Sequence, residues 1–229
     1  MLIITSILDL KYREVGYKYW ITFSSIGAIT LLYEIVTNNL FNFYSILSYF
    51  IIPIVISSLI ALAVYWFGFY GGADALAIIS ITITMPTYSS PHIGIHNFTG
   101  IVTLTNSIIL TLTLPLTLVV INISKVLKGE NIFKGFEEEN KLKKLVAFFL
   151  GYRARKVPKF SFAIEEYING KKRFKFSVFG WSDEYAVGED VWITPGIPLL
   201  IFITIGFIVA VFWGDIIFYL MRILFSLLI

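Results

Sequence analysis

Apolar positions in this chain come in long unbroken blocks rather than alternating with polar ones. Six blocks stand out: Met1–Leu8, Tyr19–Val36, Tyr44–Phe69, Ala73–Met85, Thr99–Ser124 and Gly196–Leu220. A helix needs about 20 mostly apolar residues, at a rise of about 1.5 Å each, to cross a bilayer. Strands cross only as a closed barrel of alternating segments of about 10 residues. Runs such as Ile51–Phe69 and Leu199–Trp213 do not alternate. The pattern predicts a membrane all-α fold of six transmembrane helices. It also predicts a small α+β cytosolic insert before the last helix. The expected organisation is residues 1–124 for helices 1–5, 125–193 for the insert and 194–229 for helix 6. Pro53 and Pro115 fall inside blocks three and five, where kinks are expected.

The insert has a different rhythm. Over Phe136–Phe149, Leu142, Leu145, Val146 and Phe149 recur at helical spacing behind the acidic run Glu137–Glu139, which predicts an amphipathic helix lying on the membrane. Further on, Phe160–Ile164 and Arg173–Val178 flank Asn169-Gly170. Asn-Gly suits a hairpin turn whose two central residues both need positive φ. The insert is short for a sizeable core, so it is expected to lean on the membrane or on a partner.

Charge then orients the blocks. Lys11, Arg13 and Lys18 follow the first block, and fourteen of the eighteen Lys and Arg residues lie in residues 125–193. The loops Thr37–Phe43 and Pro86–Phe98 have none. With six crossings, the positive-inside rule makes the basic side cytoplasmic, and charge and parity agree. The start Met1–Leu8 lacks a basic n-region and a small-residue cleavage site, so no cleavable signal is expected. Composition adds that the chain is 57% hydrophobic and only 14% charged, outside the soluble range. Its net charge of +3 is small, and no nucleic-acid partner is expected. Cysteine is absent, which excludes disulfides, thiolate metal sites and a thiol nucleophile.

Ionisable residues in or at the edge of the blocks are Asp9, Glu34, Asp74, Asp215 and Arg222. Each is a candidate functional residue, because charge within a bilayer costs at least a few kcal/mol. The predicted topology puts Asp9 and Asp74 in the same, cytoplasmic leaflet, Glu34 at an outer helix end and Asp215 in the outer half of helix 6. Asp215 and Arg222, seven apart, read as a polar pair on one helix face. Two carboxyls about 3 Å apart share a proton, and such a pair supplies a general base for water and an acid for the scissile carbonyl. Gly71 and Gly72 leave room for an extended peptide beside Asp74 and free φ at the turn into the helix. His92 and His96 are spaced i, i+4, but Pro91 and Gly94 interrupt the helix a metal site would need, so no metal or cofactor is expected.

Three motifs carry a resemblance. Asp9-Leu10-Lys11-Tyr12-Arg13-Glu14-Val15 resembles the aspartate and basic residues that follow the first helix of type IV prepilin peptidases. Gly71-Gly72-Ala73-Asp74 resembles the second aspartate motif of the GxGD membrane proteases. Trp192-Ile193-Thr194-Pro195-Gly196-Ile197-Pro198 resembles the Pro-Gly-Ile-Pro lead-in to the last helix of the archaeal prepilin and preflagellin peptidases. The resemblance covers nearly the whole chain. It implies a multi-pass enzyme of the cell membrane, with an Asp9–Asp74 dyad and its catalytic side cytoplasmic. Its substrates would be archaellin and pilin-like precursors with class III signal peptides, cut before their hydrophobic helix. Gly71, Gly72, Ala73, Pro195, Gly196 and Pro198 would line the substrate path. Glu14 and the run Glu137–Glu139 would face the basic leader. Three departures accompany it: Ala73 stands where the strict pattern has glycine, no cysteine cluster or methyl-transfer counterpart exists, and only eight residues precede Asp9. Three other functions are compatible with parts of the pattern. They are a small transporter or channel using Asp74 and Asp215, a non-catalytic assembly factor docking through the insert, and an intramembrane protease that cuts within the substrate helix.

Overall fold

A computed structural model describes residues 1–38, 42–88, 96–168, 170–176 and 185–228. It is mostly helical, with a small β region, and divides into two units. One comprises Met1–Thr111 with Pro198–Ile229, the other Leu112–Ile197.

The first unit is a helical body built from α1 (Leu2–Tyr12), α2 (Tyr17–Thr37), α3 (Phe43–Ile46), α4 (Ile52–Trp66), α5 (Gly72–Thr84), α6 (Thr99–Thr111), α9 (Leu199–Phe212) and α10 (Ile216–Leu228). A π-helical turn, Leu47–Ile51, joins α3 to α4. Pro53 explains that turn, since it has no N–H to offer the Tyr49 carbonyl four residues back. The helix stays apolar and long enough to span from Phe43 to Trp66.

By length and composition three helices can cross a membrane: Tyr17–Thr37, Phe43–Trp66 and Thr99–Leu127. The broken pair α9–α10, bent by 62°, makes a fourth if it is one span. The expected helix 6 is therefore not one rod. Residues of the first and fourth predicted blocks form α1, with 11 residues, and α5, with 13, both short of the usual length for a span.

The core of this unit lies where α1, α2, α4, α5, α6 and α9 meet, at Leu2, Trp20, Ala61, Ala77, Ile78, Ile81, Leu104, Leu200 and Ile203. Small residues bring the helices close. A Cβ on Gly206 of α9 would fall 2.9 Å from the Ser107 nitrogen and the Thr103 carbonyl of α6. Hydroxyls on the crossings bond within or between helices: Ser24 donates to Ser80, Thr82 to the Ile78 carbonyl, and Ser6 shares a proton with Thr204 at 2.7 Å. Hydroxyls of this kind are common packing devices where helices cross in a membrane.

The second unit holds α7 (Thr113–Leu127), α8 (Lys141–Leu150) and five strands: β1 (Tyr152–Lys156), β2 (Ser161–Ala163), β3 (Glu165–Ile168), β4 (Lys171–Phe174) and β5 (Glu189–Pro195). Pro115 stands near the start of α7 and has no N–H to offer the Thr111 carbonyl four residues back, where α6 meets α7 at Leu112. The strands form an antiparallel sheet in the order β1-β5-β2 and a hairpin β3-β4. Gly170 takes φ 77° in the hairpin turn, as the Asn-Gly signal requires; Asn169 lies outside the described residues. The hairpin arms are shorter than expected. Glu165 pairs with Phe174 and Ile168 with Lys171, while Ser161–Ala163 leaves the hairpin to pair with β5.

Despite its size the insert owns an aromatic core. Phe136 stacks on Phe174 with ring centroids 4.2 Å apart, and Phe133 on Trp192 at 5.3 Å. The Trp192 indole N–H donates to the Ile132 carbonyl at 3.0 Å. Glu165, almost wholly buried, accepts from Lys172 at 2.8 Å and from the Trp192 backbone N–H at 2.8 Å. This small cluster, completed by Ala147 and Ile164, is the insert's own core.

Candidate active site

Asp74 is the third residue of α5 and is buried, 8% exposed. Its Oδ2 accepts the Gly71 N–H at 3.0 Å, the reciprocal half of a helix cap, which leaves Oδ1 uncommitted to that bond. Gly71 has φ −73° and ψ 162°, angles open to any residue. The expected need for free φ at this turn is therefore not met at Gly71; a positive φ, 72°, falls at Gly68 instead. Gly71 matters for space: a Cβ there would lie 3.1 Å from Asp74 Oδ2. Gly71 and Gly72 are exposed and Ala73 half-buried, so the approach to Asp74 is lined by backbone.

Asp9 lies within α1, not past its end as the block boundary implied, and is half-buried. The Leu200 backbone N–H, in the first turn of α9, points at its carboxyl. The free N–H groups of a helix start favour an anion at this spot. Pro198 caps α9 immediately before it. Arg13 ends α1 in a left-handed conformation, φ 58°, and its charge reaches Asp9. The Asp9 and Asp74 carboxyls lie within electrostatic reach of one another. Glu14 is exposed just beyond Arg13.

The other expected residues fall elsewhere. Pro195 closes β5 opposite Ser161, and Gly196 donates its N–H to the Phe160 carbonyl at 2.8 Å. A Cβ on Gly196 would fall 2.7 Å from that oxygen, which accounts for the glycine on packing grounds. The acidic run is largely engaged within the insert. Glu138 pairs with Lys171 at 2.5 Å and Arg173 at 3.2 Å, and Glu139 with Arg173 at 3.1 Å. The Lys171 hydrogen bond holds the Glu138 carboxyl below its ordinary pKa. This run precedes α8 rather than opening it, because the Asn140 side chain caps the helix by accepting from the Leu142 N–H.

Asp215 is buried and caps α10, accepting from Ile217 N–H at 2.9 Å and Phe218 N–H at 3.4 Å. It stands outside the helix that carries Arg222, so the expected pairing along one face is replaced by a capping role. Glu34 is exposed. His92 lies outside the described residues, and His96 Nδ1 accepts the Phe98 N–H at 3.3 Å. Among the described residues no group of three His, Asp or Glu side chains is arranged to hold a metal ion.

Sequence reasoning missed Tyr70. Its hydroxyl is 3.1 Å from Ser107 Oγ, and Ser107 donates to the Leu104 carbonyl at 2.7 Å. Ser107's proton is thus committed, and Tyr70 is the donor. Its phenol oxygen keeps acceptor capacity within electrostatic reach of Asp74. Adjacency to Gly71 was the available signal.

An apolar helical body and spans of bilayer length define a membrane protein. Comparison with known proteins narrows this class. The family described as Archaeal Peptidase A24 C-terminus Type II matches residues 136–216. Preflagellin peptidases are similar over most of the chain. That of Methanococcus maripaludis is 29% identical, covering 93% of this chain and 92% of its own. That of Methanococcus voltae is 27% identical with the same coverage, and that of Methanocaldococcus jannaschii 23%, over 93% and 91%. The chain is thus similar to archaeal A24 peptidases, through the family match over residues 136–216 and the preflagellin peptidases over 93% of its length.

Proposed function

We propose that this protein is a membrane aspartyl endopeptidase that removes the short basic leader from archaellin or type IV pilin-like precursors at the cytoplasmic face. The observation that carries the reading is the placement of Asp74, buried at the start of α5 on the Gly71 N–H, together with Asp9 against the first turn of α9. The names of the preflagellin peptidases it resembles support the substrate class.

The two carboxyls hold one proton between them and titrate as a unit. The ionised member takes a proton from water, whose oxygen attacks the scissile carbonyl. The protonated member donates to the carbonyl oxygen, and collapse of the tetrahedral adduct releases the mature N-terminus as an amine and the leader as a carboxylate. Gly71, Gly72 and Ala73 admit the extended substrate backbone. Glu14, exposed beside the dyad, faces the basic leader. Pro195, Gly196 and Pro198 form the lead-in to α9, whose first turn orients Asp9. In this reading α1 and α5 insert with the longer spans, giving six crossings, and the side carrying Lys11, Arg13 and Lys18 is cytoplasmic.

The test is to incubate the purified protein with a full-length archaellin precursor and locate the cut by mass spectrometry. A single cut between the basic leader and the hydrophobic helix is expected. A cut within that helix would identify an intramembrane protease instead, and an intact precursor would remove the peptidase reading. Glu14→Lys should raise KM for the precursor several-fold with kcat little changed.

A further inference from the structure

Helix α8 carries more apolar surface than the insert can use. Its inward side, Ala147 and Phe148, packs into the aromatic core. A second stripe, Leu142, Leu145, Val146, Phe149 and Leu150, follows the i, i+3, i+4, i+7, i+8 spacing of a single helix face. Those five side chains are 68%, 55%, 40%, 42% and 43% exposed. Lys141, also exposed, borders the stripe. Within the same unit, Asn122 of α7 ties this helix down by donating from Nδ2 to the Phe148 carbonyl at 2.9 Å and the Gly151 carbonyl at 2.7 Å.

Those two bonds set a depth. The apolar helix Thr99–Leu127 has 29 residues, about 43 Å at about 1.5 Å each, against about 30 Å of hydrocarbon. Its excess lies in the headgroup layer, and Lys125 and Lys128 mark its basic end. Asn122 stands five residues before Leu127, so the C-terminal end of α8 is held beside the last turns of a span. Val120, Ile123 and Leu127 of α7 are themselves exposed apolar residues, as lipid contact requires.

We propose that α8 is an interfacial helix, its Leu142–Leu145–Val146–Phe149–Leu150 face sunk into the cytoplasmic surface of the phospholipid bilayer. The insert is then fastened to the membrane at two points, α7 through it and α8 upon it. Lys141 at the stripe's edge extends its amine to the lipid phosphates while its stem stays on apolar ground. The inference does not depend on the peptidase reading, and its test needs no substrate.

The chain has no cysteine, so single-cysteine variants take a spin label at one site only. Lys141→Cys, Leu145→Cys and Phe149→Cys, each exposed, are labelled in the full-length protein and reconstituted into vesicles of phosphatidylcholine and phosphatidylglycerol. Collision of the label with oxygen, which concentrates in lipid, is compared with collision with a water-soluble nickel chelate. The ratio at 145 and 149 is expected to exceed that at 141 several-fold. Equal ratios at all three sites would place the stripe in water and overturn the proposal. Shielding from both reagents at 145 and 149 would overturn it too, by assigning the stripe to a protein partner or a second copy of the chain.

Discussion

At Gly71 the missing side chain is a matter of room, not of torsion, because its backbone angles suit any residue. Gly71→Ala would push a methyl to 3.1 Å from Asp74 Oδ2 and crowd the bond from the Gly71 N–H. Precursor cleavage by this variant should fall by about tenfold in kcat/KM, equivalent to about 1.4 kcal/mol, with its melting temperature little changed. Tyr70→Phe removes the proton donated to Ser107. Loss of one such bond is worth about 1 kcal/mol of stability, read as a melting temperature in detergent lowered by a few degrees. Asp74 was legible at this scale because a charge in an apolar block announces itself. Tyr70 was not, since a tyrosine at a membrane edge is ordinary and its meaning depends on Ser107, thirty-seven positions away.

Among the elements, long apolar helices and the Asn-Gly hairpin could be read from period and turn chemistry alone. The break between α9 and α10 could not. Gly214 takes φ 93° there, but the bend depends on Asn106 of α6, a contact invisible to local pattern. Asn106 is fully buried; its Nδ2 donates to the Gly214 carbonyl at 3.0 Å and its Oδ1 accepts the Ile216 N–H at 3.0 Å. Asn106→Ala orphans both groups and should destabilise the helical unit by about 2–4 kcal/mol, read as a lower melting temperature in detergent. In the insert, Arg153 clasps Asp190 through two nitrogens at 2.6 and 2.5 Å. That hydrogen-bonded guanidinium lowers the Asp190 pKa below its ordinary value. A lowered folded-state pKa contributes stability that is present above the unfolded value, about 3.9, and lost as pH falls through the folded one. Asp190 is largely exposed, so screening keeps the effect under about 1 kcal/mol. Melting curves of wild type and Asp190→Asn should differ at neutral pH and converge in acid; a constant gap would mean the pair contributes nothing that titrates.

For the whole molecule, charge asymmetry and apolar blocks pointed to a multi-pass protein, yet the three or four spans set by length and composition fall short of six crossings. The shortfall sits in α1 and α5, the two helices that carry Asp9 and Asp74. In the proposed account, short helices are what bring polar groups to the water-facing edge of a bilayer without exposing them to its hydrocarbon centre. The pairing of the two carboxyls is an inference from topology, because only folding onto α9 decides which helix ends meet. Cleavage of an archaellin precursor by wild type, Asp9→Asn and Asp74→Asn, each shown to fold by its melting curve, is therefore the most direct measurement. The account predicts full conversion by wild type and loss of at least about a thousandfold in rate, about 4 kcal/mol, in each variant. Wild-type activity in either folded variant would contradict it.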